Sequence, residues 1–394
     1  MDSIKKTDKF VFQTYLRKGK ALVKGEASYL WDEAGKKYTD FLAGIAVCGL
    51  GHCHPKITQA ITRQASTLVH VSNLFYTMPQ ADLASKLCEK SFADRVFFAN
   101  SGAEANEAAI KLARRYFQKK GEKSKFKIIT MEQSFHGRTM ATLTATGQDK
   151  IKDGFHPLLE GFSYVPFNDI EALKNEIDEN TCGVMLEPVQ GEGGIIPADP
   201  EYLKAVRDLC NDKGILLIFD EIQCGMGRCG KLFAHELYGV TPDIMTLAKA
   251  LGNGLPIGAM LATQDAATGF DYGSHATTFG GSPLVTAAAL EVMNIISQEA
   301  FLDKVCQKSL YFKNKLINLK EKHSRVIDVR GEGLLLGLEI EPEADKDASF
   351  FVEELMKKGF IINGIQDKIL RFAPPLVIEE KDIDRLVSAL DSLL

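Results

Sequence analysis

No stretch of this sequence is apolar for long enough to cross a bilayer, and its N-terminal segment, MDSIKKTDKFVFQTYLRKGK, lacks the apolar core of a secretory signal. Both absences argue against a helical membrane protein and set the expectation of a cytoplasmic one. A large excess of one sign of charge is lacking as well. A formal net charge of -5 gives no electrostatic attraction toward nucleic acid or an anionic membrane surface. The eight cysteines, at positions 48, 53, 88, 182, 210, 224, 229 and 306, include no Cys-x-x-Cys pair. Without an export signal they are expected as reduced thiols. There is no internal repeat and no low-complexity linker.

What is present is ordinary globular composition over 394 residues, 45% hydrophobic and 25% charged. That length suits a large domain plus a smaller one. Cys48, His52, Cys53 and His54 are residue types that zinc accepts. Their spacing is irregular and they sit in a Gly-rich turn ending at Pro55, so they read as loop residues near a pocket, and no metal is expected.

Ala27 to Phe41 reads as a hairpin, with Tyr29-Leu30-Trp31 and Lys37-Tyr38 flanking a turn over Asp32-Glu33-Ala34-Gly35-Lys36. From about residue 55, helical spacing over Lys56 to Leu68 and Ala81 to Ser91 alternates with short apolar runs. These runs are Val96-Phe97-Phe98, Lys127-Ile128-Ile129, Gly183-Val184-Met185-Leu186, Ile215-Leu216-Leu217-Ile218-Phe219 and Ile244-Met245-Thr246-Leu247. Continuous rather than alternating apolar strands suit a mostly parallel α/β sheet covered on both faces. Ligands of such sheets bind at the strands' carboxyl ends. Beyond about residue 285 come a long helical pattern, strands near Val326 to Val329 and Leu334 to Ile340, a helix near Phe350 to Lys358, the run Ile369 to Phe372 and a final helix. Together they read as a smaller α+β unit able to pack with the N-terminal hairpin.

Gly225-Met226-Gly227-Arg228-Cys229-Gly230 matches G-x-G-x-x-G literally. Asp220-Glu221-Ile222-Gln223 separates it from the preceding strand, and no helix cap follows, so a dinucleotide site is not expected. Gly331-Glu332-Gly333 reads as a turn or bulge.

Three strand ends carry chemistry. Arg95 to Phe98 leads through Asn100-Ser101-Gly102-Ala103 into a helix marked by Ala105, Ala108, Ala109, Leu112, Ala113 and Tyr116. Small residues there let a phosphate reach free backbone N–H groups; a plain cap by Ser101, with Glu104 closing a capping box, is the alternative. Asp220 closes a second apolar strand, where a carboxylate needs a cationic partner, and a protonated pyridine nitrogen is one. Lys249 follows a third, where burial would lower its pKa and free the amine for Schiff-base chemistry. Anchor, electron-sink partner and covalent tether together match what pyridoxal phosphate needs.

These residues resemble the class III, fold type I aminotransferases. The resemblance runs through Phe41-Leu42-Ala43-Gly44-Ile45-Ala46-Val47, Asn100 to Ala108, Ser134-Phe135-His136-Gly137-Arg138-Thr139 and Glu187-Pro188-Val189-Gln190-Gly191-Glu192. It continues in Asp220-Glu221-Ile222-Gln223, Leu247-Ala248-Lys249, Thr278-Phe279-Gly280-Gly281 and Leu370-Arg371-Phe372-Ala373-Pro374-Pro375. It implies an α/β fold with an N-terminal segment of a small domain over residues 1–50, a large cofactor-binding domain over 51–280 and a C-terminal small domain over 281–394. It implies that Lys249 is joined to the cofactor and moves the proton, and that Asp220 meets the ring nitrogen. Gln223 would bond the phenolic oxygen, Ile222 and Phe135 would cover the two ring faces, and Gly102 and Ala103 would hold the phosphate through backbone N–H groups. Thr278 would reach the phosphate of the other subunit and Thr277 the substrate there, so a homodimer with shared sites is implied.

Arg138 and Arg371 would read carboxylates, with Glu192 pairing Arg371 until a dicarboxylate displaces it. The substrates implied are N2-acetylornithine and 2-oxoglutarate, with succinylornithine, ornithine, an acylated lysine precursor or 4-aminobutyrate as alternative donors; an aminomutase is less favoured. Apolar Ile45 offers no partner to a free ammonium, which favours an acylated one. Cys48, Ala276 and Ser282 depart from residues frequent in the class, and the first two bear on substrate preference.

Overall fold

The computed structural model describes residues 3–343 and 346–394. Strands β1 (Leu22–Glu26), β2 (Tyr29–Asp32) and β3 (Lys37–Asp40) form an antiparallel meander. The β2–β3 turn is tied by Asp32, whose carboxylate accepts from the N–H groups of Ala34 and Lys36 at 3.0 and 2.9 Å.

The central sheet is built from β4 (Arg95–Ala99), β5 (Lys127–Met131), β6 (Phe162–Val165) and β7 (Thr181–Leu186). After the small ribbon of β8 (Val189–Gln190) and β9 (Ile196–Pro197) it is completed by β10 (Leu216–Asp220), β11 (Ile244–Leu247) and β12 (Gly258–Ala262). The order is β4-β12-β11-β10-β7-β5-β6. All neighbours are parallel except β12, which runs antiparallel to both β11 and β4. Six strands therefore point one way, and their carboxyl ends share one edge.

Burial explains the continuous apolar runs. In β10, Leu216 and Ile218 pack into one core while Leu217 and Phe219 pack into another on the opposite face. Alternating side chains meet apolar layers on both sides, so no polar position occurs before the strand's last residue, Asp220. Strands β6 and β12 escape sequence reading. β6 is a four-residue edge strand, Phe-Ser-Tyr-Val, and β12 is Gly-Ala-Met-Leu-Ala, composed largely of weak strand formers.

The long helical pattern after residue 285 is two helices, Pro283–Ile296 and Glu299–Lys322, broken at Ser297 and Gln298. The first packs on the helices Pro55–Ala65 and Met78–Glu89; the second packs on β13 and on the final helix Glu380–Asp391. Strands β13 (Val326–Glu332), β14 (Leu335–Ile340), β15 (Phe360–Ile361), β16 (Asn363–Ile365) and β17 (Ile369–Phe372) follow. β13, β14, β17 and β16 form a second antiparallel sheet, whereas β15 joins β3 in parallel register. Chain ends far apart in sequence thus share one sheet. Gly333, at φ +60°, makes the β13–β14 turn, and the Gly225 to Gly230 segment is a run of turns with no helix before His235.

Candidate active site

The carboxyl edge of the central sheet opens into a cavity of about 450 Å³. Ser101 to Ala103, Phe135 to Arg138, Asp220, Gln223 and Lys249 contribute to its wall, from the carboxyl ends of β4, β5, β10 and β11.

At the β4 end, Ser101 caps the helix Gly102–Lys119 by accepting from the Glu104 N–H at 3.2 Å. The Glu104 carboxylate does not return to Ser101. It accepts from the backbone and side-chain nitrogens of Asn100 at 2.7 and 2.8 Å, so the reciprocal bond closes one residue early. A Cβ on Gly102 would lie 2.8 Å from the Ile222 side chain. Only glycine leaves the helix mouth open beside Ile222.

Lys249 lies two residues past β11, with φ +41°. A non-glycine residue in the left-handed region costs about 1 kcal/mol or more and is typical of functional sites. Burial pushes its ammonium pKa down, Glu192, Asp220 and Glu187 oppose that, and the net direction is downward. The amine is therefore neutral over a wider pH range than a surface lysine.

Asp220 is 3% exposed and fully engaged. One oxygen accepts from the Ile222 N–H at 3.0 Å; the other meets Asn106 Nδ2 at 2.7 Å and His136 Nδ1 at 2.8 Å. Asn106 is held in turn by the Thr246 hydroxyl at 2.7 Å. Asn106, His136 and Thr246 were not singled out from sequence for this role. The sole hint was that Asn106 and His136 lie inside motifs already marked for the phosphate and the ring. Glu187 was also missed; it accepts from the N–H groups of Phe135 and Gly191 at 3.0 and 3.2 Å, and burial pushes its carboxyl up.

Arg371, 2% exposed, donates to the Glu192 carboxylate, to Asn363 Oδ1 at 2.7 Å and to Gln223 Oε1 at 3.4 Å. Gln223 Nε2 donates to Glu192 at 3.3 Å. Burial opposes ionisation of Glu192, but the charge and hydrogen bond of Arg371 prevail and hold its carboxyl below the usual range. The pair stands behind Gln223 rather than in the cavity wall itself.

Arg138 is exposed on the rim, its guanidinium 5.8 Å from the Phe135 ring centre. Thr277 accepts from Asn100 Nδ2 at 3.1 Å. Thr278 is exposed and lines a separate small hollow with Asn73 and Gly280. Within one chain it does not join the cavity. Ile45 is 40% exposed and outside the wall, whereas Val47 is part of it. Residues 43–46 form a left-handed turn, with positive φ at Ala43, Gly44, Ile45 and Ala46. Asp40 anchors that turn by accepting from the N–H groups of Leu42 and Ala43 at 2.8 and 2.9 Å, and its second oxygen meets His52 at 2.7 Å.

Pyridoxal phosphate fits this set of residues. The open helix mouth at Gly102 offers N–H groups to a phosphate, Asp220 is a pre-oriented acceptor, and Lys249 is a buried amine in the same wall.

Residues 16–394 match the family model for class-III aminotransferases. The acetylornithine aminotransferase of Methanocaldococcus jannaschii is 54% identical, over 98% of this chain and 96% of its own. That of Caldanaerobacter subterraneus subsp. tengcongensis is 52% identical, over 98% and 97%. Among solved structures, the ornithine aminotransferase of Toxoplasma gondii ME49 superposes with a TM-score of 0.94 at 32% identity, covering 99% of this chain and 93% of that one. The chain belongs to the class-III aminotransferases and is a pyridoxal-phosphate-dependent transaminase of fold type I.

Proposed function

We propose that this enzyme moves the δ-amino group of N2-acetyl-L-ornithine to 2-oxoglutarate, giving N-acetylglutamate 5-semialdehyde and L-glutamate in arginine biosynthesis. One observation carries the reading: Arg371 is buried against Glu192 beside the cavity that holds Lys249. Two substrates must use one site, and they differ by a carboxylate. Acetylornithine has one, which Arg138 on the rim can take bidentately while Glu192 neutralises Arg371. Glutamate and 2-oxoglutarate have two, and the second displaces Glu192 from Arg371. The names of the relatives at 54% and 52% identity support the same donor.

The bound cofactor supplies an electron sink for the carbanion formed when the substrate loses a proton. Lys249 would tether the cofactor, and its buried amine would take and return the substrate proton. Asp220, fixed by Asn106 and His136, would keep a proton on the ring nitrogen. Gly102 and Ala103 would hold the phosphate, Phe135 and Ile222 would cover the ring faces, and Gln223 would meet the phenolic oxygen.

In the same reading the enzyme is a cytoplasmic homodimer. Thr278 and Thr277 act at the partner's site, which accords with the exposure of Thr278 outside its own cavity. Apolar side chains cluster nearby without cover: Leu74, Phe75, Tyr76, Tyr272 and Phe279 are all more than 60% exposed. Among the described residues no helix is long and apolar enough to cross a membrane. Residues 1–50, 51–280 and 281–394 serve as N-terminal small-domain segment, cofactor domain and C-terminal small domain.

The test is a donor panel with 2-oxoglutarate as acceptor. Acetylornithine should show a kcat/KM at least tenfold above ornithine and 4-aminobutyrate. Equal or reversed values reject the assignment, and a preference for succinylornithine or an acylated lysine precursor moves it to that donor.

A further inference from the structure

A second cavity, about 960 Å³, lies on the far side of the Glu192–Gly193 segment and shares no wall residue with the first. It opens between the central sheet's β5–β6 end and the C-terminal sheet. One wall carries Lys152 and Tyr164; the other carries Arg330, Glu339 and Lys368.

Lys152 is the unusual group. Its side chain is only 6% exposed, yet its closest anionic contact is Asp149 at 3.9 Å, beyond hydrogen-bond length, and Asp149 is itself fully exposed. Its ammonium sits 3.6 Å over the Tyr164 ring. The ammonium lies over the ring face rather than at the Tyr164 hydroxyl, which donates to the Thr144 carbonyl. Among the described residues the ammonium has no hydrogen-bond acceptor within reach; its stem is buried and its charged end opens on the cavity.

The opposite wall holds a second cation with an unused donor. Arg330 and Lys368 share Glu339, at 2.5 and 2.6 Å. Arg330 Nε donates to the Gly194 carbonyl at 2.8 Å and Nη1 also reaches Asp328 at 3.2 Å, which leaves Nη2 without a partner among the described residues. The remaining carboxylates of the cavity, Glu132 and Asp149, are exposed at its rim.

We propose that this cleft binds a small dianion, a phosphate or a dicarboxylate, gripped between Lys152 and Arg330. Both cations present unused N–H donors, and an occupant bearing two negative charges answers both walls at once. Its floor is the segment directly after Glu192. Gly193 is held there by Gln366 Nε2 at 3.3 Å, and Gly194 by Arg330. Occupancy would therefore tie the two walls together across the segment that carries the Arg371 partner.

The test uses holoprotein, whose phosphate cradle is filled by cofactor, at constant pH and ionic strength. Inorganic phosphate and succinate are titrated separately while the melting temperature is followed. At least one should give a saturable rise of a few degrees, as expected for a ligand selective for the native state. Lys152→Met keeps the stem on Tyr164 but removes the charge, and should weaken the apparent affinity at least tenfold. Arg138→Gln, altered in the catalytic cavity, should keep the response; isothermal titration of all three proteins gives the affinities independently of stability. A response to phosphate alone, or to succinate alone, assigns the source of the dianion. The site is refuted if neither ligand raises the melting temperature, if Lys152→Met responds as wild type, or if Arg138→Gln abolishes the response.

Discussion

Glu192 and Arg371 are 179 residues apart in sequence and form an ion pair at the back of the candidate site. The arginine is almost fully buried, with 2% of its surface exposed, while the glutamate comes from the loop between β8 and β9. A buried cation whose only anionic partner among the described residues sits on a loop can exchange that partner for a ligand. Removing the glutamate leaves the cation buried and uncompensated, a state that is costly for any ligand lacking a second carboxylate.

Glu192→Gln should therefore separate the half-reactions. The kcat/KM for acetylornithine should fall about tenfold, equivalent to roughly 1.4 kcal/mol, while that for glutamate stays within a factor of three. Single-turnover kinetics with each amino donor reads this directly. Equal losses for both donors would show that Glu192 does not gate Arg371.

Lys249→Ala should abolish covalent capture of the cofactor and lower turnover by at least ~10³-fold, the scale of losing a positioned acid–base group and nucleophile. Borohydride reduction of the wild-type holoprotein followed by peptide mapping should place the pyridoxyl group at position 249. A label elsewhere, or unchanged turnover in the variant, rejects the assignment.

Asn106→Ala deletes one of three hydrogen bonds to the buried Asp220 carboxylate and leaves the Thr246 hydroxyl without its acceptor. Hydrogen bonds to a charged group contribute about 1.5–3 kcal/mol, so urea unfolding should show a loss of that order. Asn106 acts through Asp220 as a positioning residue. The holoprotein's visible spectrum should titrate at a shifted pH as the ring nitrogen's partner loosens, and Asn106→Asp should not restore it. An unmoved spectral titration in Asn106→Ala would assign the residue a purely structural role.

His52 links charge to the left-handed turn beside Val47. Burial works against its protonation, but the hydrogen bonds to Asp40 and Cys48 outweigh it and raise the imidazole from 6.5 to about 10. A raised pKa means that the stabilisation is fully present below the unfolded value of 6.5 and is lost as pH rises through about 10. His52→Asn should cost about 3 kcal/mol at pH 6, since it leaves Asp40 buried without its cation. The gap between variant and wild type in urea midpoint should narrow steadily toward pH 10.5. A gap constant over that range would mean that the pair carries no charge-dependent stability.

Much of the architecture could be read from side-chain pattern. The runs at β4, β5, β7, β10 and β11 are apolar at consecutive positions, and that pattern has one economical solution, a sheet covered on both faces. The glycine motif at Gly225 lies in a run of turns, and the next helix begins only at His235. Strands β6 and β12 were invisible because a sheet edge and a glycine-alanine segment owe their conformation to neighbours rather than to their own residues. The break at Ser297 was hidden because apolar spacing continues across it.

Within the site, residue type and position after a strand end marked Lys249, Asp220 and the Ser101 to Ala103 mouth, since a charged or small residue there departs from the apolar pattern around it. Asn106, His136 and Glu187 carried no such contrast. Each acquires its role from a partner on another strand, at distances no spacing rule encodes. Sequence alone thus determined which strands are buried and which of their ends carry reactive groups, because burial and polarity are written position by position. Tertiary structure alone decided that Asp220 is held by Asn106 and His136 and that Lys152 turns its ammonium into a second cavity, and it bore out the Arg371–Glu192 pair that the family resemblance implies. Those relations depend on how separate elements cross in space, where a single hydrogen bond joins residues more than a hundred positions apart.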